Sequence, residues 1–236
     1  MQKGKIPHIK HIFFDLDRTL WDFEKNSEAV IEQLLVTYDI EQQYGISFQS
    51  FNKKYKRVNH KLWHLYNHKK ITKEELRTTR FTKTFQLLGI KDEKLGLIFE
   101  EEYISKSPYE TRLLEGANEI LNYLKPKYKL HVLTNGFKEV QHVKLHHSGI
   151  KKHFLNVFIS EEIGVQKPHK LIFEKAREKA HAQLEECLMI GDDYTNDVQG
   201  ALQAGWKAVY FSARHKRLKN PNLWQVRNLV ELKELL

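Results

Sequence analysis

Short apolar runs and helical apolar stripes alternate along this chain, and their order predicts its architecture. Runs rich in β-branched or aromatic residues stand at Ile9 to Phe14, Lys129 to Thr134, Val157 to Ser160, Cys187 to Gly191 and Lys207 to Phe211. Apolar runs of this length read as strands of a parallel sheet covered on both faces. Helical spacing marks the segments between them: Gly116 to Lys125, with Ala117, Ile120, Leu121 and Leu124 on one face, then Lys138 to His147, Lys170 to Ala180 and Asp197 to Ala204. Strand and helix in this alternation imply right-handed crossovers and a doubly wound, Rossmann-like α/β fold. Its ligand edge is expected at the carboxyl ends of the strands.

The first strand breaks the rhythm, because the stretch between it and Lys129 is far longer than one crossover helix. That stretch is itself helical in pattern. Phe23 to Tyr38 carries Val30, Ile31, Leu34 and Leu35 on one face, and Phe48 to Tyr66, Lys73 to Leu88 and Lys94 to Ser105 follow. We therefore expect residues 1–20 and 112–236 to form the α/β core and residues 21–111 an inserted α-helical cap domain. Two chain crossings would join them, a connection that can hinge.

Composition narrows the class. With 236 residues, 41% of them hydrophobic, the chain can bury a substantial core and a smaller appended one. Its one cysteine, Cys187, cannot form an internal disulfide, which fits a reducing compartment. No apolar run approaches the roughly 20 residues that span a bilayer. The basic start Met1 to His8 has no apolar stretch behind it, because Asp15 and Asp17 interrupt at once. A cytoplasmic protein with no membrane partner is the expectation.

Charge is uneven. Of the net +9, an excess of ten lies between Phe51 and Lys91, where twelve Lys and Arg face only Glu74 and Glu75. A solvated face is the usual fate of such a run, against attraction of anionic substrates or contact with nucleic acid. Tyr55, Trp63, Tyr66 and Phe81, interleaved there, would suit base stacking, yet at helical spacing they read as core, and nucleic acid is disfavoured as a partner. His60, His64 and His68, and the pair His142 and His146, have ligand spacing without a supporting carboxylate or thiol.

Candidate chemistry sits at the strand ends. Asp15 and Asp17 follow the first strand, and extended backbone puts both side chains on one side. Two carboxylates this close need a cation or a shared proton, and Mg²⁺, with its preference for carboxylate and phosphate oxygen, fits. Read alone, the pair is equally a turn. Gly191-Asp192-Asp193-Tyr194-Thr195-Asn196-Asp197 repeats the arrangement after the fourth strand. Asp192 would reach the same ion if the two strands are neighbours, while Asp197 has even claims as a helix cap and as a supporting acid. Thr134-Asn135-Gly136 offers a hydroxyl, an amide and a flexible backbone N–H for phosphate oxygens. Lys167-Pro168, before a predicted helix, would aim a lysine at the same edge.

In this order the four elements resemble the haloacid dehalogenase superfamily: Asp15 to Leu20 matches its first motif, Thr134 to Gly136 the second, Lys167-Pro168 the third and Gly191 to Asp197 the fourth. The resemblance implies that Asp15 attacks phosphorus and that Asp17 is general acid and base. It implies Mg²⁺ held by the Asp15 and Asp192 carboxylates and the Asp17 carbonyl, with Asp197 in support. Thr134, the backbone of Asn135 and Gly136, and Lys167 would balance phosphoryl charge. The family's dehalogenases lack an aspartate at the Asp17 position, so phosphate chemistry on a small phosphorylated substrate is favoured. Arg18, where glycine is more usual, and the continuation Thr19-Leu20-Trp21-Asp22-Phe23 are similar to the pyrimidine-type 5′-nucleotidase branch. A phosphomutase, a phosphonate-cleaving relative using a cap lysine, or a non-catalytic binding protein are the alternatives.

Overall fold

The computed structural model describes residues 4–213, 218, 220 and 223–236, so Met1, Gln2 and Lys3 of the basic start lie outside the described residues. Among these, one parallel sheet has the order β3-β2-β1-β4-β5-β6. Its strands are β1 (His11–Phe14), β2 (Lys129–Thr134), β3 (Asn156–Ile159), β4 (Cys187–Gly191), β5 (Lys207–Phe211) and β6 (Trp224–Val226). The chain reverses its direction of build at β1, and this switch point is where doubly wound folds bind ligands.

Register sets the geometry of that edge. Phe14 lies opposite Val132 of β2 and Ile190 of β4. One residue further, the Asp15 N–H donates to the Ile190 carbonyl at 2.9 Å, so Asp15 emerges between the ends of the two neighbouring strands. Alternation along β1 sends Ile12 and Phe14 into one apolar layer and Phe13 into the other. All three are fully buried, each contributing about 2 kcal/mol to folding.

Contacts divide the chain into two compact units, Met1–Phe23 with Thr111–Leu236, and Glu24–Glu110. The second is helical: α1 (Phe23–Thr37, beginning at the boundary), α2 (Ile40–Tyr44), α3 (Phe48–Asn67), α4 (Lys73–Gln86) and α5 (Glu93–Lys106). Ser47 caps α3, Asp92 caps α5, and Thr72 with Glu75 forms a reciprocal capping box on α4. Phe51, Tyr55, Phe81, Phe85, Phe99 and Tyr103 make an aromatic core with Val30, Ile31 and Leu34. Tyr55, Tyr66 and Phe81 are therefore internal.

One member of the basic run is internal as well. The Arg80 guanidinium, 3% exposed as a residue, donates to both Glu100 oxygens at 3.0 and 2.7 Å and to Asn59 at 3.4 Å. A wholly solvated face is thus the wrong description of that segment. Lys56 also pairs locally, with Glu24 at 3.1 Å and Glu28 at 2.6 Å. His60, His64 and His68 are exposed, and His68 Nδ1 lies 2.7 Å from the His64 carbonyl at the end of α3.

Helices α6 (Ala117–Leu124), α7 (Lys138–His147), α8 (Ser160–Ile163), α9 (Lys170–Lys179), α10 (Gly200–Gln203) and α11 (Leu232–Leu235) belong to the first unit. Ile120, Leu121 and Leu124 of α6 share the layer of Ile12 and Phe14, whereas Ile172, Phe173 and Ala176 of α9 share that of Phe13. Where the sequence predicts a helix from Asp197, a π-helical turn over Tyr194–Gln199 leads into α10. The short β6 was not anticipated from the sequence. No helix of the described residues is long and apolar enough to cross a membrane.

Candidate active site

Four segments that the sequence scatters meet at the carboxyl edge of the sheet. Asp15 and Asp17 come from the end of β1, Thr134 to Gly136 from the end of β2, Lys167 from the loop after α8, and Asp192 and Asp197 from beyond β4. Asp15, Asp192 and Asp197 each offer an oxygen within 4.8 Å of the others, and among the described residues this is the one cluster of three or more His, Cys, Asp or Glu suited to a metal. Burial, then the charges of Asp15 and Asp197, drives the Asp192 pKa well above the carboxylate range. Asp197 is pushed up to about 7, by burial first, with Asp15 adding to it and Lys167 opposing. A cluster of three carboxylates, with Asp15 and Asp197 buried and Asp192 partly so, calls for a cation.

Lys167 supplies one. Its ammonium, 2% exposed, donates to Asp15 Oδ1 at 2.8 Å, Asp197 Oδ1 at 2.6 Å and the Leu133 carbonyl at 2.8 Å. Burial lowers its pKa, but the two carboxylates outweigh burial and raise it. Asp15 is nonetheless raised, since burial exceeds what Lys167 returns. Asn135 fixes this lysine: its amide donates to the Lys167 carbonyl and accepts from the Lys167 N–H, both at 2.9 Å. The side chain read as a phosphate ligand is therefore committed to the lysine's backbone.

Asp193 and Asp197 divide the work that spacing could not assign. Asp193 is the cap, accepting from the Thr195 and Asn196 N–H groups at 2.9 Å each. Asp197 points back into the cluster and accepts from the Asp193 N–H at 3.0 Å. A Cβ on Gly191 would come within 2.1 Å of the Asp197 carboxylate, so the glycine makes that approach possible. The π-turn between them places Asp197 inward, as such turns often do at functional sites.

Three residues were not singled out from sequence. Thr19 is fully buried, its hydroxyl 3.3 Å from Asp15 Oδ2 and accepting from the Asp192 N–H at 3.1 Å, so it ties β1 to β4. Gln141 and Lys144, one turn apart on α7, both reach Asp17: Gln141 Nε2 to Oδ2 at 2.9 Å and Lys144 Nζ to Oδ1 at 2.6 Å. Burial alone would raise Asp17, but the Lys144 charge and hydrogen bond, then Gln141 and Arg18, outweigh it and lower the pKa. The clue was available: the inward stripe of α7 is Gln141, Lys144 and Leu145, polar where a packing helix should be apolar. Trp21 is core, 1% exposed, with the Lys144 ammonium 4.3 Å from its ring centroid, and the Arg18 guanidinium lies 4.2 Å from that of Phe23. Arg18, at φ 67°, occupies the left-handed region that the more usual glycine enters without strain.

With this geometry, the family can be assigned. The family model for haloacid dehalogenase-like hydrolases matches residues 9–205. The chain belongs to that family. Pyrimidine 5′-nucleotidase PynA of Streptococcus pneumoniae is 35% identical over 209 residues, covering 87% of this chain and 85% of its own. Pyrimidine 5′-nucleotidase YjjG of Escherichia coli is 32% identical over 228 residues, covering 95% and 96%. Among solved structures, the HAD-hydrolase YfnB from Bacillus subtilis, bound to magnesium, superposes with a TM-score of 0.85 at 27% identity, over 95% of this chain and 97% of that one. The haloacid dehalogenase-like fold and its parallel sheet are thus shared over 95% of the chain, and the chain is an enzyme, a hydrolase of this family.

Proposed function

We propose that this chain is a magnesium-dependent phosphomonoesterase that forms an aspartyl-phosphate on Asp15 and acts on nucleoside 5′-monophosphates. The observation that carries the reading is the division of two neighbouring carboxylates. Asp15 sits inside the acidic cluster against Lys167, whereas Asp17 is gripped separately by Lys144 and Gln141. That division supports reading one as the nucleophile and the other as the proton carrier.

The donor set fits magnesium. Asp15, Asp192 and Asp197 offer only oxygen, and burial, with the charges of Asp15 and Asp197 added to it, raises the Asp192 pKa, a cost that a bound divalent cation would relieve. Magnesium bound there, also facing the Asp17 carbonyl, would neutralise the cluster and polarise the phosphoryl oxygens.

Each half of the reaction then follows. An Asp15 carboxylate oxygen attacks phosphorus, the bond to the leaving oxygen breaks, and that oxygen takes its proton from Asp17, which Lys144 and Gln141 hold ionised at rest and which carries that proton only once substrate is bound. Asp17, now ionised and held so by Lys144, accepts a proton from a water that attacks the same phosphorus. The bond to Asp15 breaks and inorganic phosphate leaves. Thr134 and the Asn135 backbone receive the phosphoryl oxygens, the Gly136 N–H donates to Thr134 Oγ1 and so holds that hydroxyl, and Lys167 keeps Asp15 aligned.

Nucleotide preference rests on similarity to two pyrimidine 5′-nucleotidases above 30% identity over most of each chain. A buried lone cysteine, Cys187, suits a reducing compartment such as the cytoplasm. The test is phosphate release from p-nitrophenyl phosphate and from a panel of nucleoside monophosphates and sugar phosphates, with and without Mg²⁺. Equal rates for wild type and Asp15→Asn would sink the enzymatic reading. Equal kcat/KM on nucleotides and sugar phosphates would remove the nucleotide preference alone.

A further inference from the structure

Gln141 is completely buried, and its amide is used in an unusual way. Nε2 donates one hydrogen to Asp17 Oδ2 at 2.9 Å and the other to Thr134 Oγ1 at 2.7 Å, while Oε1 has no hydrogen-bond partner among the described residues. The reversed amide would set a carbonyl against the Asp17 carboxylate, so the network fixes its orientation. Room for the side chain comes from Gly136, where a Cβ would lie 1.7 Å from Nε2.

Thr134 Oγ1 is thereby constrained. It accepts from Gln141 and, at 3.0 Å, from the Gly136 N–H. A hydroxyl has two lone pairs and one hydrogen, so with both lone pairs engaged only the O–H remains to be directed. That hydrogen is left as a donor at the end of β2, where the phosphoryl group is expected. Lys144 completes the arrangement from one turn further along α7, holding Asp17 Oδ1 at 2.6 Å with its ammonium beside the Trp21 ring. Each Asp17 oxygen thus has its own donor, and the plane of the carboxyl group is set by two side chains of a single helix.

We propose that Gln141 and Lys144 are positioning residues that hold the Asp17 carboxyl and the Thr134 hydroxyl in one fixed relation, coupling proton delivery to the leaving oxygen with the grip on the phosphoryl group. The inference rests on the phosphomonoesterase reading above. Neither residue touches substrate; both act through Asp17, and Gln141 also through Thr134. A group whose task is to deliver a proton matters most when the departing oxygen is a poor leaving group. An alkoxide needs that proton as the bond to phosphorus breaks, whereas a nitrophenolate scarcely does.

The experiment compares kcat/KM for p-nitrophenyl phosphate and an alkyl phosphate such as a nucleoside 5′-monophosphate, in wild type, Asp15→Asn, Gln141→Met, Lys144→Met and Lys144→Arg. Gln141→Met keeps length and loses both donors, and Lys144→Arg keeps charge and donor. We expect Gln141→Met and Lys144→Met to lose about 100-fold on the alkyl ester, within the usual range for general acid catalysis, and under about fivefold on the nitrophenyl ester, with Lys144→Arg recovering most of the alkyl loss. An equal factor lost from both esters, as misfolding or general loosening would give, overturns the inference. Should Gln141→Met fail to fold, the Lys144 pair decides alone by the same comparison. If wild type and Asp15→Asn are equal on both esters, the phosphatase reading itself is overturned and this inference with it, an outcome distinct from the first.

Discussion

Lys167 and Asp15 are joined at 2.8 Å across 152 positions of sequence, an ion pair almost sealed from water. Removing one partner of such a pair leaves the other as an uncompensated buried charge, at about 3 to 5 kcal/mol. Lys167→Met should therefore melt well below wild type and lose at least about 100-fold in kcat with Mg²⁺ present, the scale of losing one preorganised charge at a reacting centre. Saturating Mg²⁺ should raise the melting temperature of Lys167→Met more than that of wild type, since it replaces a missing positive charge. An equal magnesium shift in the two proteins would show that the ammonium and the metal do not share the cluster.

Asp192 gives the converse case. Its raised pKa means that ionising it within the fold is costly, first through burial and then through Asp15 and Asp197. Without metal at neutral pH, Asp192→Asn should be more stable than wild type, because an amide removes one of three crowded carboxylates. The sign reverses with Mg²⁺ present. Wild type gains stability by mass action and the variant gains much less, while the Mg²⁺ concentration for half-maximal activity rises at least about tenfold. Thermal melts with and without Mg²⁺ or EDTA check both halves.

Asp193 and Asp197 make a sharper pair, since spacing alone leaves Asp197 open as a helix cap or as a supporting acid. Asp193→Ala removes a helix cap and should cost about 1 kcal/mol of stability while changing the Mg²⁺ requirement little. Asp197→Ala takes an oxygen from the cluster and a partner from Lys167, so it should raise the Mg²⁺ requirement. The same shift in both variants would remove the distinction.

What could be read from sequence divides along the kind of signal each residue carries. β1, β2, β4 and β5 are continuous apolar runs, and any fold burying both faces of a sheet must use them, so the sheet and its ligand edge were legible. β6 is three residues, Trp224–Val226, too short for periodicity to register. Asp15, Thr134, Lys167 and Asp192 are legible because each stands at or just past a strand end or shortly before a helix. Gln141 and Lys144 are not, because residues in mid-helix acquire a direction only once α7 is packed. Arg80 reads as part of a charged surface for the same reason: its partner Glu100 lies 20 residues away on another helix.

That pair carries its own prediction. Glu100→Gln leaves the Arg80 guanidinium buried among Phe81, Tyr103 and Asn59 with no counter-charge, and should destabilise the helical unit by about 3 to 5 kcal/mol in urea melts. The apolar double variant Arg80→Met/Glu100→Leu should recover most of that loss, because it removes both charges together. A double variant no more stable than Glu100→Gln would indicate that the pair, beyond its charge balance, organises the helices.

Acid sensitivity should trace to a buried histidine far from catalysis. His131 Nδ1 lies 3.1 Å from Asn156 Nδ2, which can only donate, so Nδ1 accepts and the ring proton is on Nε2. Nε2 then donates to His11 Nδ1 at 3.1 Å, and the chain of bonds needs both rings neutral. Burial, then the charges of His11 and Lys129, lowers the His131 pKa to about 3. In the unfolded chain it returns to about 6.5. Above that pH neither state binds the proton and stability is unaffected. Below it the unfolded state takes up a proton that the folded state refuses, so stability falls as pH falls from about 6.5 toward 3, by up to about 1.4 kcal/mol per pH unit. His131→Leu deprives His11 and Asn156 of a partner and should be less stable than wild type at pH 7.5. Because it has no proton to refuse, the gap should narrow steadily in urea melts at pH 6.5, 5.5 and 4.5. A gap that stays constant across that range would assign the acid limb to other groups.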